Sequence, residues 1–185
     1  MPIRNTTERW GHLSIALHWI TVVVILSLVV VGFVMEDLPN TPFKRDVYLL
    51  HKSFGLTVLA LTALRLGWRL VQPTPALPEG TPAWQRWAAH GGHLGLYGLM
   101  IAIPASGWAY NWASNFATPY FGWTLMERAG AVDRELKAIA GVVHEWGVYA
   151  LLALLVAHAG AAFYHHYQLK DAVLRRMAPW LKPAA

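Results

Sequence analysis

The chain has 185 residues, of which 56% are hydrophobic and 14% charged, with ten Trp and no Cys. A soluble domain carries roughly 45–50% apolar and about 25% charged residues, so this chain holds more apolar surface than a protein of its size can hide from water. The excess must meet lipid. Without Cys there are no disulfides, no iron–sulfur clusters, no haem attached through C-x-x-C-H and no cysteine nucleophile. A formal charge of +5 would suit nucleic acid, yet the basic residues stand at the ends of apolar runs, which is membrane patterning. No nucleic-acid partner is expected.

A bilayer needs roughly 20 residues of helix, and four segments meet that length. The first predicted span covers about 13–35, where Thr21, Ser27 and Gly32 alone interrupt the apolar run after Trp19. It is too long for the roughly 7–15-residue core of a signal peptide and no A-x-A-like site follows it. Leu38-Pro39-Asn40-Thr41-Pro42 separates it from the second span, about 47–71. Pro73, Pro75, Pro78, Gly80 and Pro82 break the next connection. The third span covers about 88–110, with Pro104 as a tolerated kink. The connection 111–137 carries Trp112, Tyr120, Phe121 and Trp123 and is expected to lie along the membrane interface. The fourth span covers about 138–167. The whole chain, 1–185, reads as a single membrane domain: an all-α, integral membrane four-helix bundle.

Four spans put both termini on one side. That side holds Arg4, Arg9, Arg65, Arg69, Arg86, Lys170, Arg175, Arg176 and Lys182. The other side has fewer cations (Lys44, Arg45, Lys52, Arg128, Arg134 and Lys137) and most of the acids. Positive charge marks the cytoplasmic face, so both termini are expected to be cytoplasmic.

Nine His in such a chain are the informative anomaly. Ionisable groups at membrane depth are costly and mark pathways or ligand sets. His18, His51, His144 and His158 fall inside the spans. His144 and His158 are 14 residues apart, which at 100° per residue is about 40° short of four turns, and they are separated by roughly 21 Å along the axis. They share a face but are too far apart to hold one ion. By depth, His18 is level with His158 near the cytoplasmic surface, and His51 with His144 near the periplasmic surface. Two bis-histidine haem sites follow, one per leaflet. Such ligation leaves no open iron position, so it suits electron transfer. Taken one at a time, each His also reads as a hydrogen-bonded helix contact.

These segments resemble the bacterial cytochrome b561 family, small four-span dihaem b-type cytochromes related to hydrogenase cytochrome b subunits. The resemblance rests on Leu17-His18-Trp19, His51-Lys52-Ser53-Phe54-Gly55, Gly92-His93-Leu94-Gly95-Leu96-Tyr97, and His144-Glu145 through His158 to His165-His166-Tyr167. It implies two haem b, with ligands at His18, His51, His144 and His158. It also implies a quinone hydrogen bond from His165 at the cytoplasmic end of the fourth span, with His93 or His90 beside it. A plain solvated His165 is the alternative, and His12 and His166 are expected at the surface.

Arg65 and Arg69 form an i, i+4 pair at the cytoplasmic end of the second span. They suit either haem propionates or positive-inside anchoring; Arg9 has a weaker claim of the same kind. Lys44, Arg45, Lys52, Arg128, Arg134 and Lys137 either steer a small anion or form a solvated charge mixture. Gly55, Gly92, Gly95 and Gly160 are places where a helix approaches a macrocycle or packs on a neighbour. His144-Glu145 does not complete H-E-x-x-H, since residue 148 is Val.

The expected function is electron transfer across the bacterial inner membrane from a periplasmic donor to the ubiquinone pool. The resemblance makes superoxide the leading donor, and hence superoxide:ubiquinone oxidoreductase the leading activity. The alternative is an electron carrier without its own substrate, docked to a dehydrogenase, a hydrogenase or a soluble cytochrome. A haemless transporter is the reading from another class.

Overall fold

The structure is a computed structural model that describes residues 2–127 and 130–183. Arg128, one of the cations considered for anion steering, lies outside the described residues. Helices α1 (His12–Met35), α2 (Pro42–Leu70), α3 (Ala83–Ala113) and α4 (Arg134–Tyr167) make up most of it. Strands β1 (Thr118–Tyr120) and β2 (Trp123–Met126) lie between α3 and α4, and a short α5 (Val173–Met177) follows α4.

Helix α1 starts within a residue of its expected position. Helix α2 begins five residues earlier than its expected span, because Pro42 belongs to the helix and not to the break. Pro at the first helical position loses nothing, since its missing N–H has no partner there, and the Thr41 side chain caps by accepting from the Lys44 amide. Asp133 extends α4 in the same way by accepting from Leu136 N at 3.0 Å. Pro104 is absorbed inside α3.

Helices α1, α2 and α4 are each long and apolar enough to cross a membrane, with mean hydropathies of 2.6, 1.5 and 1.8 over their best stretches. Their outward residues include Val23, Val30, Leu64, Val142 and Val156, all strongly exposed. Helix α3 covers the third expected span with room to spare. Its apolar run is diluted by His90, His93, Tyr97, Pro104, Ser106 and several Gly, so it is not among those three.

The all-α expectation missed one element. β1 and β2 pair antiparallel, with Tyr120 opposite Trp123 across a two-residue turn. Phe121 (φ 47°) and Gly122 (φ 90°) both lie in the left-handed region, as the tight hairpin turn requires. An aromatic residue at the first turn position hides this signal in the sequence. The hairpin is tied to α2 by the Phe121 amide, which donates to Ser53 Oγ at 3.0 Å.

The main packing runs α1 on α2, α2 on α3 and α3 on α4. At the first of these seams Thr21 and Thr62 are almost fully buried, each hydroxyl donating to the carbonyl four residues back. Small self-satisfied polar side chains let backbones approach closely in lipid. Ile25, Val58, Leu96, Met100 and Leu151 form a core drawn from all four long helices. Leu151 lies seven residues from both His144 and His158, roughly 10.5 Å of helix each way. This aliphatic layer therefore separates the two histidine levels.

Segments near both ends of the described chain are clamped to the long helices. Asn5, 7% exposed, donates to the Pro73 carbonyl and accepts from the Gly11 amide and the Ser14 hydroxyl. At the other end α5 turns back: Trp19 Nε1–H donates to the Met177 carbonyl at 2.7 Å, and Trp180 packs on Trp19. Arg176 donates to the Ala76 carbonyl. His166 was expected at the surface, but it is 5% exposed, on the final turn of α4 against which the returning α5 packs. His12 is exposed as expected.

Candidate functional site

The four span histidines come together in two pairs. His18 on α1 and His158 on α4 have ring centroids 6.3 Å apart and planes at 56°. His51 on α2 and His144 on α4 are also 6.3 Å apart, with planes at 68°. A metal–imidazole bond of roughly 2.0–2.1 Å, with about 1.1 Å from nitrogen to ring centre, puts two rings on opposite sides of one ion about 6.3 Å apart. Each pair therefore has the span of two imidazoles with an ion between them. Helix α4 packs extensively on α3, not on α1 or α2. It is across that looser side that the pairs meet.

Helix α3 supplies the seat for His144. The Nδ1–H donates to the Ile103 carbonyl at 2.8 Å, which leaves Nε2 with its lone pair for a metal. Ser106 Oγ stands 3.4 Å from the same Nδ1. Gly107 lies against the ring with no side chain to displace it. Gly32 of α1 borders His51 in the same manner, and His51 Nδ1 is buried with no partner among the described residues. A buried imidazole nitrogen with no partner is costly in a protein alone, as expected of a ring that awaits a group.

The other pair is part of a larger cluster. His93 of α3 sits 5.6 Å from His158, ring to ring, whereas His90 is exposed. His93 is thus level with the His18–His158 pair. Arg65 stands 3.4 Å from His18 Nδ1. Arg65 and Arg69 both lie over the Tyr97 ring, at 5.5 and 5.9 Å. Neither arginine has a carboxylate partner in the ion pairs among the described residues. Two half-buried guanidinium groups beside three imidazoles form an anion-receptive corner.

His165 is not a plain solvated side chain. Its Nδ1 is 2.5 Å from Asp171 Oδ2, and both side chains are largely covered. The cations considered for steering divide by circumstance. Lys44 is spent on the Glu36 and Leu38 carbonyls at the end of α1, and Arg45 pairs loosely with Asp46. Lys52, next to His51, donates to Asn111 Oδ1 at 2.7 Å. Arg134 and Lys137 line an open cleft of about 540 Å³ with Tyr110 and Gly141. Among the glycines considered as close approaches, Gly95 meets Leu154, while Gly55, Gly92 and Gly160 face open space.

Sequence reasoning missed Gly107, Gly32, Ile103, Asn111 and Asp171. The first two carry no chemistry of their own, and a carbonyl acceptor has no residue signature. Tyr97 stood in the matched motif with no role given to it.

Apolar helices that hold paired imidazoles are the materials of a membrane b-type cytochrome. The model of the family described as prokaryotic cytochrome b561 matches residues 9–180. Cytochrome b561 homolog 2 of Escherichia coli (strain K12) is 33% identical over 184 residues, covering 96% of this chain and 95% of that protein. Cytochrome b561 homolog 1 of the same strain is 33% identical over 176 residues, covering 93% and 98%. A protein of Yersinia pestis named probable superoxide oxidase CybB is 28% identical over 175 residues, covering 93% and 97%. The chain belongs to the prokaryotic cytochrome b561 family: membrane proteins that bind haem b and carry electrons.

Proposed function

We propose that this chain is a four-span dihaem cytochrome that carries electrons across the bacterial inner membrane from periplasmic superoxide to ubiquinone. Its chain forms one membrane domain with both termini cytoplasmic. The observation that carries the reading is the equal 6.3 Å separation of two imidazole pairs, set 14 residues apart on α4. His18 and His158 would hold the cytoplasmic haem b, and His51 and His144 the periplasmic one. When bound, the haems would supply one-electron transfer without an open coordination position.

The chain's own residues have distinct tasks. The Ile103 carbonyl and Gly107 orient His144, so that Nε2 is the ligating nitrogen. Arg65 claims the His18 Nδ1 lone pair, since a guanidinium can only donate. A haem held through His18 Nε2 would leave the ring proton on Nδ1, and Arg65 with Arg69 would then be free to hold its propionates. His165 hydrogen-bonds the quinone near the cytoplasmic surface, with His93 on the same side of the bundle. Arg134 and Lys137 draw a small anion into the cleft one turn from His144.

Superoxide as donor draws support from the relative named probable superoxide oxidase. A second reading is an electron relay docked to a dehydrogenase, a hydrogenase or a soluble cytochrome. Stopped-flow mixing of ubiquinone-loaded protein with superoxide separates the two. The proposed activity consumes superoxide faster than it dismutes spontaneously and yields quinol; consumption at the spontaneous rate removes superoxide and leaves the relay.

A further inference from the structure

Where α4 ends, a carboxylate and an imidazole are locked together. His165 Nδ1 donates to Asp171 Oδ2 at 2.5 Å, and the two side chains are only 14% and 18% exposed. Asp171 is fixed independently of the ring. Its Oδ1 accepts from the Val173 amide at the start of α5, at 2.8 Å, and its own amide donates to the His165 carbonyl at 3.1 Å. Lys170, at φ 52°, makes the left-handed bend that brings the carboxylate back over the ring. The Tyr164 ring meets His165 edge-on at 6.3 Å and 88°.

An ionised carboxylate only accepts, so Nδ1 keeps the proton in either charge state of the ring. Nε2 is then the nitrogen that gains and loses one. His165 follows His158 by seven residues, two turns along nearly the same face of α4 and roughly 10.5 Å further on. That places the proton-exchanging nitrogen beyond the cytoplasmic histidine cluster, toward the water.

We propose that Asp171 is the positioning residue for proton transfer at His165, holding the ring so that Nε2 exchanges one proton with the quinone. This rests on the assignment of His165 to the quinone site. A quinone takes two electrons and two protons to become a quinol. Two superoxide ions supply the electrons, one each, and leave as dioxygen. One proton moves from Nε2 of the imidazolium to a quinone oxygen, breaking N–H and forming O–H. The other comes from water, which also recharges the ring. The Asp171 carboxylate holds the ring and keeps its tautomer through the transfer. In the reverse direction neutral Nε2 accepts a quinol proton.

The test uses the haem-loaded protein and a short-chain ubiquinol, so no periplasmic donor is involved. Optical reduction is followed in the unaltered protein and in Asp171→Asn, Asp171→Glu, His165→Gln and the double variant Asp171→Asn/His165→Gln. The expected result for Asp171→Asn is a plateau rate lowered about tenfold or more, with half-saturation changed less than about twofold. Asp171→Glu restores most of the rate, and the double variant is no slower than His165→Gln alone. A slow His165→Gln beside a normal Asp171→Asn overturns the role of Asp171 and leaves the quinone assignment standing. Normal rates in both overturn the quinone assignment and this proposal with it. Nitrogen-15 histidine NMR of the unaltered protein reads the same claim without a variant: a His165 Nδ1 without its proton contradicts it.

Discussion

Gly107 lies close against the imidazole of His144: a β-carbon at residue 107 would come within 2.9 Å of the ring Cε1 and 3.0 Å of Nδ1. The ring cannot swing away freely, because its Nδ1–H is anchored on the Ile103 carbonyl. Gly107→Ala must therefore part α3 from α4 or break that hydrogen bond, at a cost of about 1–3 kcal/mol. On the proposed two-haem reading the expected outcome is loss of the haem between His51 and His144 with the one between His18 and His158 kept, read as about half the haem per chain. Gly98→Ala, on the same helix with open space around it, should keep both.

Arg65 brings a positive charge within 3.4 Å of His18 Nδ1, and in the haem-loaded protein it would offset the negative charge of a propionate. A cation beside a redox centre favours the reduced form. Arg65→Gln should lower the midpoint potential of the haem proposed between His18 and His158 by on the order of 50 mV, given one charge several ångströms away at an intermediate dielectric. The haem proposed between His51 and His144 should hardly move. A redox titration followed optically checks this; equal shifts in both centres would remove Arg65 from the cytoplasmic site.

Asn5 ties the N-terminal segment to the bundle by bonding Pro73, Gly11 and Ser14 while nearly fully buried. Asn5→Ala leaves a buried amide and a hydroxyl short of partners, at roughly 1–3 kcal/mol. Gly11→Ala should be worse, because its β-carbon would meet the Ile3 carbonyl oxygen and the Arg4 backbone. Thermal unfolding in detergent should rank the unaltered protein above Asn5→Ala and Asn5→Ala above Gly11→Ala.

Lys137 overhangs the Tyr110 ring at 5.3 Å at the mouth of the cleft it shares with Arg134. If superoxide enters there, Lys137→Glu should slow its consumption several-fold at low salt, and added salt should narrow the gap as screening grows. The quinol-driven reduction should be unchanged. A salt-independent rate, equal in both proteins, would move the entry point elsewhere.

The sequence showed its long apolar helices and the His18, His51, His144 and His158 pairing because both follow from a 3.6-residue period and the cost of polar groups in lipid. What it hid depended on relations between elements. Pro42 is legible as a helix start only once Thr41 is seen to cap. The Phe121-Gly122 turn lacks the usual Asn or Gly at its first position. His90 and His93 stand three residues apart and could be ranked only when the rotation of α3 was known. His166 looked like surface because nothing in its own helix reveals that α5 returns to pack there. Gly107 and Asp171 act only through His144 and His165, so neither had a signal of its own.

Every residue role proposed for this chain depends on two haem b per chain, each held between two histidines. Haem content per protein, determined from the pyridine haemochrome with reduced-minus-oxidised spectra, tests it in the unaltered protein and in His144→Ala and His18→Ala. Two haems are expected in the first and one in each variant, with the surviving haem differing in spectrum between the two variants. One haem in the unaltered chain, or two retained after loss of His144, would contradict it.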